Sequence, residues 1–534
     1  MNDKRKRNNR LVYIISVSII IIITAIAGIF PKTFGTQAQT IYDLISNSFG
    51  WFFLLIIFIL DIFLIALAIS RYGRFKLGDN DEEPEFSFMS WLGMLFSAGL
   101  GVGIVFWGVA EPLTHYLHSP FPGKVPDQSP ESARLAMGYT FFHWGISQWS
   151  IFAMAGLIVA YFQFRKKRDG LISTAMEPVF GEAYKRPIRN VIDILAIIAT
   201  VMGIATSIGL GIMQISGGLN HVFHVPNNNI TKISITLLMM IIFIGSGITG
   251  LGRGVKWLSN LNIILGALLL IFMLIFGDLK FIFESYTLAI GDYIRHFVEY
   301  SLRIDPYTNK NAWIQQWTVF YWAWVISWSP FIGGFVARVS RGRTIREFIL
   351  CVLVVPPLIS FVWICGFGGM AIKIAMGGDR IASLVDKDYT VALFELLSKF
   401  PLSDITSGLA ILLIFLFIVT SADSTTHIVA GMATGGSENP KIKHKVIWGL
   451  LIGAISVAMT IAGGLTSLQT ASVVTGLPFS IILLLMTISI MRALRREHTK
   501  HFQMSYVKDD KDYSIPLEKR EKDEETSNGS QTDK

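Results

Sequence analysis

Apolar residues along this chain gather into about twelve long runs separated by short polar stretches. The runs cover 11–30, 49–70, 89–109, 134–163, 191–218, 233–250, 257–277, 313–337, 347–375, 405–432, 445–463 and 472–491. Each is near the roughly 20 residues that a helix needs to cross the hydrocarbon core. Backbone groups in lipid must be satisfied within their own segment, so runs of this length predict helices. The predicted fold class is an all-α membrane protein with about twelve transmembrane helices. The first run is too long for the apolar stretch of a signal peptide and has no small-residue cleavage site, so it reads as the first span. The connection 278–312 mixes Phe281, Phe283, Tyr286, Leu288, Tyr293, Phe297 and Tyr300 with Asp292, Arg295 and Glu299, which predicts an amphipathic helix on the outer face. From about residue 497 the chain is too polar to bury a core and is expected to be peripheral or disordered.

Charge adds the topology. Basic clusters fall in every second connection: Lys4–Arg7, Arg71/Arg74/Lys76, Arg165–Arg168 with Lys185/Arg186/Arg189, Arg253/Lys256, Arg338–Arg346, Lys441/Lys443/Lys445 and Arg492/Arg495/Arg496. That alternation predicts a multi-pass cell-membrane protein with both termini in the cytoplasm. It also accounts for the net charge of +8 without a nucleic-acid partner. With 52% hydrophobic and 16% charged residues, a large soluble protein is excluded. The two cysteines, Cys351 and Cys365, share one apolar run and imply neither a disulfide framework nor a metal site. No His/Cys metal spacing and no Ser/His/Asp arrangement is visible, so neither an enzyme nor a bound cofactor is expected.

Three segments carry candidate chemistry. Trp317, Tyr321, Trp324 and Trp328 lie at i, i+4, i+7 and i+11, one stripe of a helix. Lipid-facing Trp belongs at the interface, so rings deep in a span point to a cation–π site for a ligand without N–H groups, such as a quaternary ammonium. Aromatic packing between helices is the plainer alternative. Span three contains Ser97-Ala98-Gly99-Leu100-Gly101-Val102-Gly103. Three alternating glycines each cost about 1 kcal/mol of helix propensity, and irregular backbone survives in a membrane only where it is buried or lines a cavity. Its free N–H groups can receive a carboxylate and its free C=O groups a sodium ion; a glycine packing face is the alternative. In span ten, Phe417-Ile418-Val419-Thr420-Ser421-Ala422-Asp423-Ser424 brings hydroxyls and an acid into an apolar helix. Hard cations take such oxygens, although Ser/Thr hydroxyls also bond back to the i−4 carbonyl. Span four adds Trp144, Trp149 and Phe152 as further walls of an aromatic box. Asp61 is a lone acid in span two and takes no role.

With the Trp-Thr-x-x-Tyr-Trp-Ala-Trp run, the Ala-Arg-x-Ser-Arg-Gly-Arg-Thr that follows, Gly-x-Gly-x-Gly, Glu111-Pro112-Leu113 and Thr-Ser-Ala-Asp-Ser in hand, the chain resembles the betaine–choline–carnitine transporter family from about residue 11 to 495. The resemblance implies two extra N-terminal helices (1–88), two inverted five-helix repeats (89–277 and 313–491), the external helix 278–312 between them and a cytoplasmic tail (492–534). It implies an aromatic box of Trp144, Trp149 and Phe152 with Trp328 near the substrate carboxylate, Trp322 and Trp324 along the pathway, and backbone at Ala98, Leu100 and Gly101 meeting the carboxylate. One sodium would be held by backbone oxygens of Ser97, Leu100 and Phe417 and by the hydroxyls of Thr420 and Ser421, with Phe331 near a second sodium. A homotrimer is expected on the same ground. Two positions depart: sodium-coupled betaine carriers usually have Tyr at Phe152, and a Trp pair where this chain reads Trp324-Val325. Val325 removes one ring from the box. Thr420 and Ser421 keep the sodium-type pattern.

The expected function is sodium symport of a quaternary ammonium osmolyte by alternating access, glycine betaine first, with choline or carnitine as the alternative. Sodium would be the coupling ion, and membrane lipid the remaining partner. A channel is the rival from another class; counterflow of labelled substrate separates the two. The tail, with Lys508, Lys511, Lys519, Arg520 and Lys522 among many acids, is expected to regulate transport by sensing ionic strength, the alternative being a solvated tail with no role.

Overall fold

A computed structural model describes residues 2–99, 101–181, 186–249, 252–307 and 310–512, with side chains described over 10–95, 101–181, 187–248, 257–307 and 310–499. The helices longer than ten residues are α1 (Asn2–Ile29), α2 (Pro31–Ile69), α3 (Phe88–Gly99), α4 (Val102–Leu117), α5 (Pro130–Trp144), α6 (Ile146–Ala160), α7 (Arg186–Phe223), α8 (Asn229–Thr249), α9 (Gly252–Phe276), α10 (Leu279–Ser301), α11 (Phe320–Val339), α12 (Ile345–Ile364), α13 (Ser403–Ala433), α14 (Ile442–Gly463) and α15 (Leu465–Asp512). Short helical turns occupy several connections. Among the described residues the one β-type pairing is an isolated bridge between Lys76 and Thr344.

The predicted spans are present. Eleven helical stretches of the described residues are long and apolar enough to cross a membrane, and the protein is a multi-pass membrane protein. The run 89–109 is not among the eleven, because it divides between α3 and α4. Start signals sit where the sequence places them. Ser129 Oγ accepts from Ser132 N at 3.0 Å ahead of Pro130, and Thr344 Oγ1 accepts from Glu347 N at 3.1 Å. Asp278 caps α10, accepting from Phe281 N at 3.0 Å. The amphipathic helix expected in 278–312 is therefore α10. It buries Ile282, Ala289, Tyr293 and Tyr300 against the bundle and exposes Phe283, Leu288, Ile294 and Val298.

Three details depart from the sequence reading. Span four is not one helix: α5 and α6 are separated at Gly145, whose backbone is extended (φ −91°, ψ −150°). The freed N–H of Ile146 donates to the Tyr293 hydroxyl of α10 at 2.9 Å. A Cβ at Gly145 would lie 2.6 Å from that hydroxyl and 2.5 Å from Phe141 O, so the break needs glycine. At the other end of the chain, the helix does not stop near 491–497. It runs on as α15 to Asp512, and the tail expectation from 513 onward lies outside the described residues. Finally, some basic clusters do more than set topology. Arg165 and Lys166 converge with Tyr161 on Glu497 of α15, at 2.6, 2.5 and 2.5 Å. Arg165 also donates to Lys76 O and Gly78 O. The strip around Leu77 pairs in turn with Gly342 and Arg343. These contacts bind one end of the bundle together.

Candidate functional site

The break between α3 and α4 sets the site. Gly101 is extended (φ −129°, ψ −175°) and caps α4 without a side chain. On either side the backbone is helical, in α3 up to Gly99 and in α4 from Val102. Leu100 lies outside the described residues. Ser97 and Ala98 belong to the helical backbone of α3, and their side chains lie outside the described ones.

A cavity of about 10 Å³ adjoins this break, lined by Gly101, Gly103, Ile104, Trp144, Gln148, Trp324, Val325 and Trp328. α11 supplies its main wall. Phe320, Trp324, Trp328 and Phe331 form one column of near-parallel rings. Centroids are 5.8 Å apart for Phe320–Trp324 (1°), 6.3 Å for Trp324–Trp328 (7°) and 6.2 Å for Trp328–Phe331 (28°). The stripe expected from Trp317 is contiguous too: Trp317 stacks on Tyr321 at 6.4 Å (20°), Tyr321 meets Trp324 at 6.2 Å (55°), and Phe320 joins the column at Trp324. α6 adds edges: Trp149 meets Phe152 at 5.5 Å and Phe152 meets Trp328 at 5.8 Å, both nearly perpendicular. Phe152 and Trp149 reach the cavity through Trp328 rather than lining it. Trp322 lies on another face of α11, against Phe142 and His143. The alternating glycines fit this geometry. A Cβ at Gly103 would lie 2.4 Å from Trp324 and 3.2 Å from Trp144, and one at Gly101 would lie 3.4 Å from Trp328.

Two polar atoms at the site are buried without a partner: the Trp328 indole N–H and Gln148 Oε1. Buried donors and acceptors in native proteins are nearly always paired. An indole donor on a residue lining an aromatic cleft can take an anionic oxygen, while the ring faces take a cation. One compact zwitterion satisfies both.

Behind Trp144 sits a network that sequence reading missed. Glu111 of α4 is fully buried. His143 Nδ1–H donates to its Oε1 at 2.6 Å and His115 Nε2–H donates to the same atom at 3.3 Å. Trp144 Nε1–H (2.9 Å) and the Tyr321 hydroxyl donate to Oε2. The Thr318 hydroxyl and His143 Nε2 are hydrogen-bonded at 3.0 Å. The donor atoms of Glu111, His115 and His143 lie within 4.8 Å of one another, a clustering that residues 28 apart in sequence do not announce. Both carboxylate oxygens are used by these bonds, so Glu111 fixes the orientation of the Trp144 ring. Beyond Trp317 and Trp107 lies a wider vestibule of about 330 Å³, bordered by Tyr42, Asp43, Gln316, Tyr389 and Gln469 among others.

Of the residues expected to hold sodium, Phe417, Thr420 and Ser421 share α13. α13 packs against α4, α7 and α9. Phe417 and Thr420 are buried, and Ser421 is half-buried. The Thr420 hydroxyl donates back to Leu416 O at 2.9 Å, the plainer reading of a mid-helix Thr. It also accepts from Asn262 Nδ2 of α9 at 3.1 Å, and Asn262 Oδ1 is buried without a partner. Asn262 was not singled out by the sequence, where it is one polar residue in an apolar run.

An interrupted helix beside a column of rings, inside an all-helical membrane bundle, is an arrangement suited to carrying a small solute. A sequence model of the betaine/carnitine/choline family of transporters matches residues 11–499, and the chain belongs to that family. It is 50% identical over 501 residues to an ectoine/hydroxyectoine transporter of Virgibacillus pantothenticus, covering 93% of this chain and 99% of the other. It is 44% identical over 485 residues to the glycine betaine transporter OpuD of Bacillus subtilis, covering 90% and 94%. It is 36% identical over 501 residues to the osmo-dependent choline transporter BetT2 of Acinetobacter baylyi, covering 92% and 72%.

Proposed function

We propose that the protein imports glycine betaine by sodium symport, through alternating access around the cleft between α4, α6 and α11. The observation that carries this reading is the parallel Trp324/Trp328 pair beside an unpartnered Trp328 N–H. Facing rings favour a cation that cannot be a hydrogen-bond donor, and the indole N–H favours the carboxylate at the other end of the same small molecule. The interruption at Gly101 supplies backbone groups to the same anion. Sodium coupling is supported by the oxygens of Phe417, Thr420, Ser421 and Asn262 on α13 and α9. The basic end of the bundle, with both chain termini, would face the cytoplasm. Uptake of labelled substrate into proteoliposomes, with and without a sodium gradient, tests the reading. Betaine accumulation driven by sodium, with counterflow, is the expected result. Saturable transport of neither betaine nor a related zwitterion would overturn it.

One observation favours a second substrate. The ectoine/hydroxyectoine transporter is 50% identical, and Val325 leaves one wall of the cleft without a ring. A cyclic zwitterion is broader than a trimethylammonium head and would use that space. Val325→Trp discriminates. If betaine is the substrate, the added ring should tighten its binding up to about tenfold, roughly 1.4 kcal/mol. If a ring-shaped zwitterion is the substrate, the same change should exclude it. Competition of betaine and ectoine against labelled substrate reads the outcome.

Replacing Thr420 and Ser421 together by alanine should raise the sodium concentration for half-maximal uptake by about tenfold or more, equivalent to roughly 1.4 kcal/mol of lost coordination. Betaine at saturation and a membrane-fraction yield control isolate the effect. An unchanged sodium requirement would remove these hydroxyls from the coupling site.

A further inference from the structure

Asp61 of α2 is the buried acid that the transport reading does not use. It is 0% exposed, in the middle of a helix otherwise apolar around it. Its Oδ2 accepts from the Ser147 hydroxyl of α6 at 2.8 Å. Its Oδ1 is buried without a partner. Ser150, one turn further along α6, lies beside the same carboxyl, and its hydroxyl is also buried without a partner. Among the described residues no Lys, Arg or His pairs with Asp61. α6 presents only the two serines to it, and the titratable side chain that faces it from another packed helix is Tyr293 of α10.

An ionised carboxylate in such a place, with no cation, is costly enough that the group normally takes a proton instead. A neutral acid has one O–H donor and keeps its remaining acceptor capacity. One proton on Oδ1, donated to Ser150 Oγ, gives partners to both orphaned atoms, while Oδ2 keeps the bond from Ser147. A metal ion or sodium would need more oxygens than these three side chains offer. We propose that Asp61, Ser147 and Ser150 form a proton-binding site that fastens α2 to α6.

The position gives the site a consequence for transport. α6 begins at the Gly145 break and carries Gln148 to the substrate cleft and Phe152, backed by Trp149, to the Trp328 ring that lines it, on the same turns as Ser147 and Ser150. A proton taken from water holds α6 against α2. A proton returned to water leaves a buried negative charge with the two serine hydroxyls alone to serve it, which loosens the packing of the two helices. Glycine betaine has a permanent cation and a carboxylate that stays ionised through neutral and alkaline pH, so a pH effect on its binding there arises from the protein.

Two measurements on the full chain test this. The infrared spectrum of the substrate-free protein should contain a protonated-carboxyl carbonyl band that disappears in Asp61→Asn. Betaine binding, followed by tryptophan fluorescence, should weaken about tenfold or more from neutral to strongly alkaline pH in the wild type. In Asp61→Asn, which keeps the shape of the neutral acid, it should be independent of pH. Ser150→Ala removes a hydroxyl that can donate to the ionised carboxylate, a bond stronger than the one the neutral acid makes, so its loss of affinity should begin at higher pH. A carbonyl band that is absent or survives in Asp61→Asn overturns the proposal. So does an Asp61→Asn protein with the wild-type pH profile, or a band that responds to sodium and not to pH. Should Asp61→Asn not accumulate, the infrared titration of Ser150→Ala against wild type decides, an unshifted band counting against the site. The infrared arm needs no substrate, so failure of betaine binding would count against the transport reading alone.

Discussion

Trp328→Ala is expected to weaken betaine binding by about thirtyfold or more. Trp328 stands between Trp324 and Phe331 in the ring column, meets Phe152 edge-on and carries the unpartnered N–H. Truncation removes a desolvated cation–π face worth about 2 kcal/mol and the hydrogen bond to the carboxylate, about 1.5 kcal/mol or more for a charged acceptor. Each 1.4 kcal/mol is a factor of ten, so thirtyfold is the lower end. Fluorescence titration of the variant would report it through the remaining tryptophans. Wild-type affinity in Trp328→Ala would return the column to a packing role.

Gly103→Ala is the second large effect, and it acts from the opposite wall. The new methyl would sit 2.4 Å from the Trp324 ring and 3.2 Å from that of Trp144. Both rings are held. Trp144 is bonded to Glu111 and Trp324 is stacked on two neighbours. Overpacking of this kind costs about 1–3 kcal/mol. Placed here, it should reduce transport to under about a tenth while the protein still reaches the membrane, since 1.4 kcal/mol already corresponds to tenfold. Uptake per unit of purified carrier is the readout. Normal transport by Gly103→Ala would mean that the rings part so widely during the cycle that their contact with α4 is immaterial.

The sequence announces some of this and conceals the rest for physical reasons. Length and hydropathy expose the spans because lipid leaves the backbone no alternative to a helix. The glycines of 99–103 mark one interruption because three of them alternate. The interruption at Gly145 gives no such sign: a single glycine in an apolar run is common, and what stabilises it is the hydroxyl of Tyr293, almost 150 residues along the chain. The same holds within the site. Trp144, Trp324 and Trp328 are legible as large rings at helical spacing. Glu111, His115 and His143 become a unit only when α4 and α5 pack, and Asn262 meets Thr420 only across α9 and α13. Trp322 is chemically identical to its neighbours, and only its angular position on α11 removes it from the cleft.

The cleft of about 10 Å³ has space for no more than about one water molecule. A water molecule alone needs about 10–15 Å³ of such space. Substrate can enter only a conformer in which the ring column has separated, and the measured dissociation constant is the intrinsic one divided by the population of that conformer. If that conformer holds one molecule in a hundred, affinity is lowered a hundredfold, about 2.7 kcal/mol, without any contact being weak. The apparent affinity of this carrier is then a dial set by how tightly its empty rings hold one another. Substitutions that loosen the column without touching the ligand should tighten binding, and a carrier can be tuned to scarce or plentiful solute through residues that never meet it.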